Sequence, residues 1–269
     1  MAVLLLCTML VIVAIFYNHS RIFRYYTKMA LFMLGSMVSA TIFIPFMVLK
    51  PRDSRNALLP AWGCRQIAKV LGLKFVVHGH KNIVQEDGAV VFINHQSLID
   101  LIVLAELWPI MERCTVISKQ EIFYLWPFGL ASWLWGTVFI NRGRAKDAQE
   151  TVNQTSKSIN TRKSKILMFP EGTRHGGDNL LPFKKGGFHI AVECQSKIQP
   201  VVVSQYAFLD YESLTFDSGS VEISILPPIE TEGLTKEDLP ALMEKTYNIM
   251  NTEYNKLSGF DKTSRVETD

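Results

Sequence analysis

The stretch Gly88–Leu104, GAVVFINHQSLIDLIVL, holds the plan of the fold in seventeen residues. Its five apolar residues 89–93 read as a strand buried on both faces. A polar turn comes next, and then an apolar run with helical spacing over 97–108. A strand that feeds directly into a helix is the opening of a βαβ unit. His95 and Asp100 flank this junction with four residues between them. If both were helical they would point about 140° apart, so the turn claims His95 and the helix claims Asp100. Ser97 and Asp100 form an S-x-x-D pattern, which predicts a helix start at Ser97. From the turn, His95 can fold back so that Asp100 accepts a hydrogen bond from one ring nitrogen. Asp100 then has two readings, a helix cap or the partner that orients a general base. H-x-x-x-x-D alone is a weak motif and leaves both open. Ser97 lacks a G-x-S-x-G setting and is a poor nucleophile candidate.

Outward from this junction, short apolar runs alternate with amphipathic ones. Strands are expected over 74–78, 89–93, 114–118, 137–140, 165–169, 198–205 and 221–226. Helices are expected over 58–71, 97–108, 145–160, 187–194 and 236–256. The alternation predicts an α/β fold with a mixed, largely parallel sheet flanked by helices. The chain divides into three regions: 1–50 as an N-terminal hydrophobic membrane hairpin, 51–261 as the catalytic domain, and 262–269 as a polar tail.

The hairpin rests on two runs without charge, 1–17 and 29–49. About 20 apolar residues are needed to cross a bilayer core; the second run meets that length and the first is marginal. A cleaved signal peptide fits poorly, since no basic segment precedes the first run. Lys50, Arg52 and Arg55 after the second run favour a cytosolic placement of the catalytic domain, against a basic loop at Arg21, Arg24 and Lys28. A further uncharged stretch, 123–140, carries Trp126, Trp133 and Trp135 and reads either as core or as a surface resting at a membrane interface.

The net charge of +3 excludes the strongly basic balance of a nucleic-acid binder. Four cysteines without a C-x-x-C pair argue against a disulfide framework and against a zinc site. No Walker or Rossmann glycine pattern is present, so neither ATP nor a nicotinamide cofactor is implied.

A second motif, FPEGTR at 169–174, continues directly from the buried run KILMF. Pro170 and Gly172 make a tight turn that projects Glu171 and Arg174 from a strand end. Downstream, Lys184 and Lys185 precede two glycines at a helix start, a setting suited to phosphate. Arg142, in VFINR, sits at another strand end. These cations read as converging on one anionic group.

Together, NHQSLID, GTVFINR, FPEGTR and the segment Gln199-Pro200-Val201-Val202 resemble the four blocks of the glycerolipid acyltransferases, in the same order. The resemblance spans nearly the whole chain and is closest to the 1-acylglycerol-3-phosphate (lysophosphatidate) acyltransferases. It implies acyl transfer from acyl-CoA to the sn-2 hydroxyl of lysophosphatidate, giving phosphatidate, at the endoplasmic reticulum membrane, with no cofactor beyond that co-substrate. It implies His95 as catalytic base with Asp100 as its partner. It also implies Arg142, Glu171, Gly172, Thr173 and Arg174 as acceptor-binding residues, joined by Lys184 and Lys185. The fourth block departs from the common form at Gln199, where an apolar residue is usual; packing or acceptor preference is expected to feel this more than chemistry.

Overall fold

The computed structural model describes residues 1–140, 155–156 and 158–260. Arg142, most of the helix expected over 145–160, and the tail lie outside the described residues. The remnant of that helix, 158–162, is helical.

Seven strands form the main sheet: β1 (Leu73–His78), β2 (Ala89–Ile93), β3 (Cys114–Lys119), β4 (Val138–Ile140), β5 (Lys165–Met168), β6 (Ile198–Val203) and β9 (Gly219–Ile225). Their order is β1-β9-β6-β2-β5-β3-β4. Every pairing is parallel except β6 with β9. A separate two-stranded hairpin, β7 (Leu209–Asp210) and β8 (Thr215–Phe216), comes after β6. This hairpin has no counterpart among the expected strands, because two-residue strands leave no periodicity to detect.

β2 is the centre of the molecule, and each of its five residues is 0% exposed. Its side chains alternate between two cores: Val91 and Ile93 enter one, Val90 and Phe92 the other. The first core is covered by α2 (Arg21–Thr41), the short α3 (Ile44–Met47), α4 (Leu58–Val70), α5 (Asp100–Met111) and α7 (Phe128–Leu134). The second is covered by α8 (Lys185–Glu193) and α9 (Leu239–Leu257). The result is the three-layer α/β architecture expected for a sheet buried on both faces. α6 (Gln120–Phe123) is a single turn between β3 and α7.

Two expected boundaries need correction. The helix after β2 begins at Asp100, not Ser97. Asp100 Oδ2 accepts from the Ser97 backbone N–H at 3.1 Å, which is one half of a capping box. The Ser97 hydroxyl serves the amide of Ile99 instead of Asp100, so the first turn stays outside the helix. The helix before β6 begins at Lys185, not Gly187, and takes both glycines into its first turn. Gly187 is needed there: a Cβ would lie 2.5 Å from Phe92 Cε1 and 2.8 Å from Met168 Sδ, so α8 presses directly on the sheet.

At the N-terminus α1 (Ala2–His19) and α2 are separated only by Ser20, whose hydroxyl caps α2 at the Phe23 amide. Among the described residues one helical stretch, Arg21–Met47, is long and apolar enough to cross a bilayer. α1 carries the first expected membrane run, and the second falls largely within this helical stretch. That helix is two-faced. Tyr25, Phe32, Ala40 and Met47 join the first core, and Lys28 Nζ donates to the Leu71 carbonyl at 2.8 Å. Over the rest of its surface Ile22, Tyr26, Leu34, Val38, Ile42 and Phe46 are each more than half exposed.

The uncharged stretch 123–140 divides as well. Trp135 is buried and donates to Thr137 Oγ1 at 2.9 Å, whereas Tyr124 and Trp126 are 72% and 73% exposed.

Candidate active site

The parallel pairing of β2 with β5 and β6 brings three carboxyl-terminal strand ends side by side. In open α/β sheets this edge is where ligands bind. From β2 comes the turn Asn94–Ser97, from β5 the turn that starts at Phe169, and from β6 the loop 204–208. Buried amide side chains fasten them together. Asn94 clips β2 to β6 by donating to the Val203 carbonyl at 2.9 Å and accepting from the Val203 N–H at 2.8 Å. Gln96 donates to the carbonyl of Ser204 at 2.9 Å and accepts from the Tyr206 N–H at 3.3 Å.

Within that frame His95 and Asp100 meet, with Nδ1 2.6 Å from Asp100 Oδ2. The imidazole is 19% exposed and the carboxylate 3%. The ring stacks on Phe169, centroid to centroid 4.0 Å at 17°. Asp100 also accepts from the Gln96 N–H at 2.8 Å and, on Oδ1, from the Tyr206 hydroxyl at 2.7 Å. Asp100 therefore caps the turn and also holds the histidine ring. Ser97 Oγ lies 2.6 Å from the Tyr211 hydroxyl and makes no hydrogen bond to His95 among the described residues.

Glu171 is 2% exposed and holds the turns to one another. Its Oε1 accepts from the His95 N–H at 2.8 Å and its Oε2 from the Leu181 N–H at 2.9 Å. Burial pushes its carboxyl above the ordinary range, and the two amide donors pull the other way. With both oxygens engaged, Glu171 shapes the site from behind. Gly172 has φ +69°, and a Cβ there would lie 2.9 Å from Lys184 Nζ, so the lysine side chain crosses the FPEGTR turn. The Lys184 N–H donates to the Pro170 carbonyl at 2.8 Å, which closes that turn. The His175 N–H donates to the His95 carbonyl at 2.8 Å and brings the end of FPEGTR alongside the histidine.

Thr173, Arg174, Lys184 and Lys185 are exposed. Among the described residues none of the three cations has a carboxylate partner. The structure brings Lys184 onto the turn; Lys185 stands at the first position of α8. Gln199 accepts from the Val84 N–H at 3.1 Å and donates to the Leu226 carbonyl at 2.5 Å, so its side chain ties β6 to two neighbouring loops. Asn94, Gln96, Phe169 and Tyr206 were missed from sequence. A cavity of about 560 Å³ opens at the opposite ends of the strands, beside Arg52, Cys114 and Ser164, and shares no residue with the histidine turn.

A buried carboxylate thus holds a histidine at the carboxyl-terminal edge of the sheet, the edge where open α/β sheets bind ligands. Residues 74–204 match the family described as Acyltransferase. The chain is 34% identical over 236 residues to human 1-acyl-sn-glycerol-3-phosphate acyltransferase alpha, covering 87% of this chain and 83% of that one. It is 35% identical over 242 residues to the human beta enzyme, covering 89% and 86%. The crystal structure of the 1-acyl-sn-glycerophosphate (LPA) acyltransferase PlsC from Thermotoga maritima has the same fold, with a TM-score of 0.68, 21% identity, and coverage of 88% of this chain and 97% of that one. The family match and these relatives define an acyltransferase. The chain belongs to the 1-acyl-sn-glycerol-3-phosphate acyltransferase family.

Proposed function

We propose that this protein transfers a fatty acyl group from acyl-CoA to the sn-2 hydroxyl of 1-acyl-glycerol-3-phosphate, forming phosphatidate and free CoA. The observation that carries the mechanism is the 2.6 Å contact of His95 Nδ1 with Asp100 Oδ2. With Nδ1–H donated to the carboxylate, the other ring nitrogen is left as the base. It takes the proton of the sn-2 hydroxyl as that oxygen attacks the thioester carbonyl. The tetrahedral intermediate then expels the CoA thiolate, which receives the proton back from the imidazolium. No acyl-enzyme is needed.

Three exposed cations without a carboxylate partner among the described residues support an anionic acceptor. Arg174 and Lys184 bind its phosphate in this reading, with Lys185 and Thr173 adding to the same polar wall, Arg142 assigned to the acceptor from the sequence alone, and Glu171 and Gly172 setting the shape of the turn. The exposed apolar side chains of α2 and the outcrop at Tyr124 and Trp126 support attachment to a bilayer. We place the protein at the endoplasmic reticulum membrane with the catalytic domain towards the cytosol, on the basis of Lys50, Arg52 and Arg55.

The test is acyl transfer from labelled oleoyl-CoA to lysophosphatidate in membranes, with wild type beside His95→Ala. Phosphatidate from the wild type alone supports reaction and base together. Transfer only to glycerol-3-phosphate or another lysolipid would displace the acceptor, and an active His95→Ala would displace the base.

A further inference from the structure

Asp100 uses its two oxygens unequally. Oδ2 meets His95 Nδ1 and the amides of Gln96 and Ser97, whereas among the described residues Oδ1 meets only the Tyr206 hydroxyl, at 2.7 Å. We propose that Tyr206 is a positioning residue for acyl transfer, acting on His95 through Asp100. This rests on the reading of His95 as the base.

A carboxylate can turn about its Cβ–Cγ bond, and a donor on the far oxygen stops that turn. Oδ2 is then held towards the imidazole. The same donor draws charge off the carboxylate and so limits how strongly Asp100 stabilises the imidazolium. Tyr206 is 5% exposed, and burial, with the Asp100 charge second, holds its phenol well above the ordinary range. It therefore remains a donor wherever the enzyme works.

Tyr206 is itself supported from outside the sheet. Its ring stacks on Phe208 at 5.5 Å, Phe208 stacks on Phe216 at 6.1 Å, and Lys28 of α2 lies 5.3 Å from the Phe216 centroid. Arg24, one turn earlier on α2, pairs with Asp217 at 3.4 Å. The β7–β8 hairpin thus spans from the N-terminal helix to the catalytic carboxylate, and Tyr206 is its last contact.

The experiment compares full-length wild type, Tyr206→Phe, His95→Ala, Asp100→Ala and Asp100→Ala/Tyr206→Phe by acyl-transfer kinetics against pH. Tyr206→Phe is expected to lower kcat about ten- to a hundredfold, the range found when the partner orienting a metal-bound histidine is removed. The acceptor KM should stay within about twofold, because the hydroxyl is buried and donated to Asp100. The acid limb of kcat/KM should move to higher pH, since a fuller carboxylate charge stabilises the imidazolium and the base must be neutral to act. In the Asp100→Ala background the second substitution should add no further loss. Phe208→Leu, which withdraws the ring from behind Tyr206 but leaves its hydroxyl, should lower kcat in the same direction and by less.

An inert His95→Ala beside a Tyr206→Phe enzyme with wild-type kcat and pH profile would overturn the tyrosine's role alone. An active His95→Ala would instead remove the base assignment on which it stands. Should Tyr206→Phe fail to fold, an unchanged kcat in Phe208→Leu overturns the inference.

Discussion

Glu171 shows how one side chain can be charged, buried and useful at once. Its carboxyl is raised above the ordinary 4.5 because burial disfavours the charge. A raised carboxyl contributes stability below its unfolded value and loses it as pH climbs through the folded one. Glu171→Gln removes that titration but turns an amide NH2 against one of the two backbone donors, at a cost of about 1–3 kcal/mol. The gap in Tm between wild type and variant should therefore be widest at the acid end and narrow as pH rises from about 4.5 upward. Parallel curves in a thermal melt series would show that desolvation of this carboxyl does not act on stability. The spacing of His95 and Asp100 left open whether the aspartate is a cap or an orienting partner. Their contact was legible from sequence, because a residue in the turn can fold back over the first turn of the helix. Tyr206 was not, since it lies 106 residues from Asp100 and only the pairing of β2 with β6 brings it there. Glu171 was visible as a functional type, but its two backbone partners arise from the folding of loops and no local spacing encodes them.

Among the elements, the strands were the readable part. β2 is a continuous apolar run and β5 is one after Lys165, and a run buried on both faces betrays itself by composition. Helix starts were less readable because side chains and backbone compete for the same amides, as Ser97 does by capping Ile99. Gln96 and Asn94 likewise look like ordinary turn residues until β6 arrives to be bound. The seating of α8 has a clear test. Gly187→Ala inserts a methyl against Phe92 and Met168, and overpacking of this kind costs about 1–3 kcal/mol. The expected result is a lower Tm by circular dichroism and a raised acceptor KM, since Lys184 and Lys185 ride on the amino end of this helix. A variant with wild-type Tm would mean that the helix can retreat from the sheet without penalty.

For the whole molecule, exposed apolar side chains run along α1 and α2 and continue where α2 and α3 meet α7. Phe46, Leu49, Tyr124, Leu125 and Trp126 are all more than half exposed there. Double substitution of Tyr124 and Trp126 by serine should weaken binding to phospholipid vesicles severalfold in a flotation assay, while activity on substrate in detergent micelles stays near wild type. Equal loss in both settings would assign these residues to the fold instead. The two-faced nature of α2 was hidden in the sequence, where both faces are apolar and differ only in what they meet. Its docking also has a temporal side. Lys28 lies 188 positions ahead of Phe216 in the chain. At about 5–20 residues per second of synthesis, roughly 10–40 seconds pass between the emergence of the two. During that interval the inner face of α2, with Tyr25, Phe32 and Lys28, has no hairpin to rest on. Nascent chains cut short before the hairpin should accordingly be the ones that chaperones or the bilayer itself must shelter.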